Sequence, residues 1–109
     1  MISDLDDTLL ALADSTRRRI FEVLLAGETA AADIAMAVGV RRDELSRHIV
    51  ILEEAGLVSR RRQGERELVA ANPAPLEIAA DWINTNRELW AMRSQMQEEP
   101  SAGAPNGAQ

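Results

Sequence analysis

The chain has 109 residues, 46% of them hydrophobic, and a formal net charge of −6. That length suffices for one domain with one modest core, and no apolar run approaches the roughly 20 residues that a membrane-spanning helix needs. The absence of cysteine removes disulfides, thiolate metal sites and cysteine nucleophiles together. With one Phe, two Trp and no Tyr, the core must be built from Leu, Ile, Val, Ala and Met, which favours packed helices. The opening Met1-Ile2-Ser3-Asp4-Leu5-Asp6-Asp7 is acidic where a secretory leader would be basic, so a cytoplasmic location is expected.

Ser3 followed by Asp6 resembles a capping box, opening a first helix with Leu5, Leu9 and Leu12 on one side. Asp14 is placed to cap a second helix whose core face is Ile20, Val23 and Leu24, stopped by Gly27. Thr29 or Ala30 precedes a short alanine-rich helix through Ile34 and Val38, ended by Gly39. Thr29 is the better cap of the two. A fourth helix is predicted from about Arg42 to Ala55, with Leu45, Ile49 and Leu52 as its buried stripe and Gly56 as its stop. Two extended segments follow, Leu57 to Arg62 and Glu67 to Ala71, joined by a turn in which Gly64 takes a positive φ. Asn72-Pro73-Ala74-Pro75 breaks the chain, and a long helix runs from about Leu76 into the high 90s. Residues 1–97 are expected to form one domain. The stretch 98–109 has no large apolar residue and is expected to be a disordered tail.

Two short helices across a glycine turn make a helix-turn-helix, and a hairpin directly after them makes a wing. The fold class expected is therefore mainly α with a small β-hairpin wing, a winged helix-turn-helix. Charge is unevenly placed. Residues 41–66 hold seven Arg against five acids, a net of +2, whereas 1–40 and 67–109 are each at −4. Every basic residue is Arg, whose planar fork suits phosphate and guanine.

In this order the segments resemble the ArsR/SmtB family. The resemblance is carried by Leu12-Ala13-Asp14-Ser15-Thr16-Arg17-Arg18-Arg19-Ile20, by Val38-Gly39-Val40, by the run from Ser46-Arg47-His48-Ile49 to Ala55-Gly56-Leu57-Val58, and by Arg61-Arg62-Gln63-Gly64. It implies a regulator that binds an operator as a symmetric dimer through its first and last helices. The family's metal-sensing branches carry cysteines near the recognition helix, or His and carboxylate ligands on the last helix. Here the last helix offers Glu77, Asp81 and Glu88 but no His, so neither a metal site nor a cofactor is expected. The chain departs from the family pattern at Asp43 and Glu44, at Val50, at Glu65 and Glu67, and at Leu68 and Val69 where an aromatic pair is usual.

The candidate DNA-binding residues are Arg41, Arg42, Ser46 and Arg47 on the fourth helix, opposite its buried stripe, and Arg60, Arg62 and Arg66 on or beside the wing. Asp43 and Glu44 are read chiefly as stabilising their helix N-terminus. Arg17, Arg18 and Arg19 suit either phosphate contacts or ion pairs with Asp14 or Glu22. His48, the only histidine, has a packing or hydrogen-bonding role, since no second His or Cys exists to share a metal. Leu5, Leu9, Leu12, Trp82, Leu89 and Trp90 are the candidate dimer interface, against the alternative of a tryptophan-lined small-molecule pocket. The expected function is a repressor that binds an imperfect palindrome in double-stranded DNA as a homodimer, answering to an effector or protein partner that the residues do not identify. The alternative is a protein-interaction module, or an antagonist of another regulator, on the same fold. No residue pattern suggests an enzyme.

Overall fold

A computed structural model describes residues 4–98. Its elements run α1 (Asp4–Ala11), α2 (Ser15–Leu24), β1 (Thr29–Ala30), α3 (Ala31–Val38), α4 (Arg42–Glu54), β2 (Val58–Gln63), β3 (Arg66–Ala71) and α5 (Ala74–Glu98). The chain divides into two compact units, Met1–Ala79 and Ala80–Gln109. The first holds everything up to the opening turn of α5; the described part of the second is the rest of that helix. The Ser3 cap and, from residue 99 onward, the proposed tail lie outside the described residues.

In the first unit, α1 turns Thr8 and Ala11 inward and leaves Leu9 45% and Leu10 68% exposed. The α2 helix starts where expected, because the Asp14 carboxylate accepts hydrogen bonds from the Thr16 and Arg17 N–H groups at 2.8 and 3.1 Å. Its buried face is Ile20, Phe21 and Leu24, with Val23 only half-buried. Ile20 and Leu24 are buried as expected, Val23 packs against the core from its edge, and the single Phe joins the face.

Thr29 does not cap α3. It lies in β1, its hydroxyl donating to the Gly27 carbonyl at 2.8 Å, while α3 starts from Ala30 with no side-chain cap. This short strand pairs antiparallel with β3, Thr29 opposite Val69 and Ala30 opposite Leu68. Two residues carry no alternation to read, so distant pairing alone creates the element. Gly39, at φ 74°, closes α3 in the left-handed conformation and opens the turn into α4. The two helices form the helix-turn-helix.

Leu45, Ile49 and Leu52 of α4 are buried as a continuous stripe. They join Ile20, Ile34, Leu57 and Val69 in one core. Each such side chain contributes about 1.5–3 kcal/mol by leaving water. The strands β2 and β3 form the hairpin, with Gln63 opposite Arg66 across Gly64 at φ 65°. Strand order is β1-β3-β2, so β2 is an edge, and its three arginines discourage pairing with other chains.

The α5 helix begins at Ala74, two residues before the expected Leu76. Pro75 does not break the chain there. A proline in the first helical turn loses no bond, because that N–H has no intrahelical partner anyway. The Asn72 side chain accepts from the Ala74 N–H at 3.3 Å. Leu76 packs against the core and Ala79 is buried. Beyond Ala79, the second unit presents Trp82, Ile83, Leu89, Trp90, Met92 and Met96 between 49% and 78% exposed.

Candidate nucleic-acid interface

Burial of the Leu45/Ile49/Leu52 stripe turns the other side of α4 outward. Arg41, Arg42, Ser46 and Arg47 are all exposed there. Arg41 forks onto Asp43, with Nε to Oδ1 at 3.3 Å and Nη2 to Oδ2 at 3.1 Å. The guanidinium beside it holds the Asp43 carboxyl below the usual range, helped by the Glu44 N–H that Asp43 accepts at 2.8 Å. Asp43 therefore serves the helix start, in line with the reading of its charge as an N-terminal stabiliser. Among the described residues, Arg42 and Arg47 have no ion pair or side-chain hydrogen bond.

The wing divides its arginines into two kinds. Arg60 lies between two carboxylates: Nη2 and Nε meet Glu53 Oε1 at 2.7 and 3.0 Å, and Nη1 meets Glu67 Oε2 at 3.2 Å. Its pKa is raised, first by the Glu53 hydrogen bond and also by Glu67. Arg61, on the opposite face of the ribbon, forks onto Glu28 with both contacts at 2.8 Å, which lowers the Glu28 pKa and raises its own. Arg62 and Arg66, nearer the tip, are exposed and have no partner among the described residues.

Arg17, Arg18 and Arg19 make no ion pair with Asp14 or Glu22. They cap helix ends instead. Arg17 Nε donates to the Ala11 carbonyl at 2.6 Å, and Arg18 Nη1 to the Leu12 carbonyl at 2.8 Å, closing the end of α1. Arg19 Nη1 donates to the Val38 carbonyl at 3.2 Å, at the last residue of α3. Cations there meet unsatisfied carbonyls and the negative end of the helix dipole. Arg17 Nη1 also reaches His48 Nδ1 at 3.4 Å. A guanidinium only donates, so Nδ1 is the acceptor in this contact, and Nε2 lies 3.7 Å from Glu44 Oε2. The histidine is thereby a hydrogen-bonded strut between α2 and α4.

Sequence reasoning missed the roles of Glu28, Glu53 and Glu67. One signal was available for Glu67: the turn at Gly64 fixes the register, which puts Arg62 opposite Glu67 and Arg60 diagonal to it on the same face. Nothing local pairs Glu28 with Arg61. Among the described residues, no group of three or more His, Asp and Glu side chains converges as a metal site would require, and no helix is long and apolar enough to cross a membrane.

Residues 12–61 match the family described as a helix-turn-helix domain. The chain is 29% identical to the transcriptional repressor SdpR of Bacillus subtilis (strain 168) over 79 residues, covering 72% of this chain and 88% of that protein. It is 31% identical over 86 residues to the uncharacterized HTH-type transcriptional regulator YuzN of the same organism, covering 72% of this chain and 94% of that one. Among solved structures, it is similar to the ArsR-like transcriptional regulator from Rhodococcus sp. RHA1, at a TM-score of 0.74 and 26% identity over 88% of this chain and 94% of the other.

Proposed function

The chain belongs to the ArsR-type winged helix-turn-helix transcription regulators, and on that premise we propose that it represses transcription by binding an imperfect palindrome in operator DNA as a homodimer. The observation that carries this reading is the unpaired, outward-facing Arg42 and Arg47 on the helix that the buried stripe of α4 orients. In a major groove such arginines bond guanine O6 and N7, each good pair discriminating by about 1–3 kcal/mol. Arg41 and Ser46 flank them, and Arg62 and Arg66 reach the backbone or the minor groove from the wing.

A second copy covers Leu5 and Leu9 of α1, Leu12 in the turn that follows it, and Trp82, Leu89 and Trp90 of α5. Residues 1–97 then work as one DNA-binding and dimerisation domain, in the cytoplasm and without catalysis. Two-fold symmetry sets the half-sites one helical turn apart, about 34 Å, or a multiple of it. Selection of bound sequences from random DNA, followed by a salt titration on the winner, tests this. The expected result is a palindromic consensus whose affinity falls steeply with salt. Recovery of no consensus, with binding equal to that of random DNA, rejects the operator reading and favours a protein-interaction module on the same fold.

A further inference from the structure

We propose that Arg60 is a positioning residue: it sets the angle of the wing against the recognition helix by bridging Glu53 and Glu67, and does not itself contact phosphate. The proposal rests on the DNA-binding reading above.

The three groups span a corner of the fold. Glu53 is in the last turn of α4, Arg60 is on β2 directly after the short connection Ala55-Gly56-Leu57, and Glu67 is on β3. One guanidinium thus links the recognition helix to both strands of the wing. Its side chain is only 33% exposed, against 82% for Arg41, which forks onto Asp43 at the exposed start of α4. Across the ribbon, Arg61 forks onto Glu28 and braces the other face to the segment before β1. The wing is therefore held from both sides by arginines whose charge is already matched. The arginines left for DNA are those at the tip, Arg62 and Arg66.

Two negative charges around Arg60 make it a poor phosphate ligand. To approach a phosphate it would have to leave both carboxylates, stranding them beside the polyanion. As a brace the same arrangement is sensible. Exposed ion pairs contribute little to stability, but a planar fork held at two points restricts direction well. Direction matters here, because α4 and the wing tip must meet the duplex at two places at once. Glu53 and Glu67, which on charge alone weaken DNA binding, then serve it.

That contrast supplies the test. Operator affinity and its salt dependence would be measured for the full chain, for Glu53→Gln/Glu67→Gln together, and for Arg60→Lys and Arg60→Gln. Removing two acids near DNA should tighten binding if only net charge matters. The brace requires the opposite: about tenfold weaker binding for the double variant. Arg60→Lys, which keeps the charge but cannot fork across both acids, should lose nearly as much as Arg60→Gln, and neither should change the salt slope. Tighter binding by the double variant, or a slope reduced by about one in Arg60→Gln as for a lost phosphate contact, overturns the proposal. Amide hydrogen exchange without DNA separates this from failure of the operator reading. The double variant should lose protection in β2 and β3 while α2 and α3 keep theirs. Unchanged wing protection overturns the brace whether or not the native chain binds DNA.

Discussion

Asp14 shows how much one side chain does at a helix start. Its carboxylate satisfies two backbone donors that α2 would otherwise leave open, and this holds its pKa below the ordinary range, the Arg17 N–H bond contributing most. Asp14→Ala should cost about 1 kcal/mol in urea unfolding at neutral pH. The sign of the pH effect follows from linkage. A carboxyl whose pKa is lowered by folding contributes fully above its unfolded value of about 3.9, and that contribution fades as pH falls through the lower folded value. The stability gap between the native chain and Asp14→Ala should therefore narrow on acidification below about pH 4; a gap that stays constant would mean that the cap is not what the substitution removes. Arg17 and Arg19 act at the other helix ends, on carbonyls of Ala11 and Val38. The triple-arginine run invites a phosphate reading, yet each of the three already gives at least one donor to a backbone carbonyl of the fold.

At the scale of the element, the hairpin separates charge by position along the strand. Arg60 and Arg61 are matched by acids, whereas Arg62 and Arg66 are unmatched among the described residues and sit beside the tight turn at Gly64. Arg62→Ala and Arg66→Ala should each lower the slope of log K against log salt by about 0.9 and weaken binding across all sequences alike. A loss confined to one base position would instead mark a base contact. The recognition helix was legible from its spacing, since Leu45, Ile49 and Leu52 share one face at helical period and all three are buried. The β1 strand was not legible, because its two residues owe their conformation to β3. The early start of α5 was misjudged for a different reason: a proline pair reads as a break, but one of the two prolines falls in the first turn, where it is tolerated.

For the whole molecule, the apolar content of α5 is the decisive quantity. Ile78, Trp82, Leu89, Met92 and Met96 follow one another at spacings of three, four or seven and remain roughly half exposed or more. A helix that exposes such a row needs a partner surface, and closed two-fold pairing is the commonest way to supply one. Leu89→Glu should give a monomer in sedimentation at micromolar concentration. Its affinity for the palindrome should fall by about 10² or more, since each protomer then holds a single half-site without the gain from linkage. An intact dimer in that variant would move the interface elsewhere.

The order of the five helices and the hairpin, the buried stripe of α4, the Asp14 cap and the turn at Gly64 were determined by the sequence alone, because periodicity, capping and positive φ are local properties. Which arginines remain free was decided only by the tertiary structure. Glu28 meets Arg61, and Glu53 meets Arg60, through the meeting of separate segments. A net charge counted along the chain is blind to that pairing, which depends on distances of a few ångströms in space.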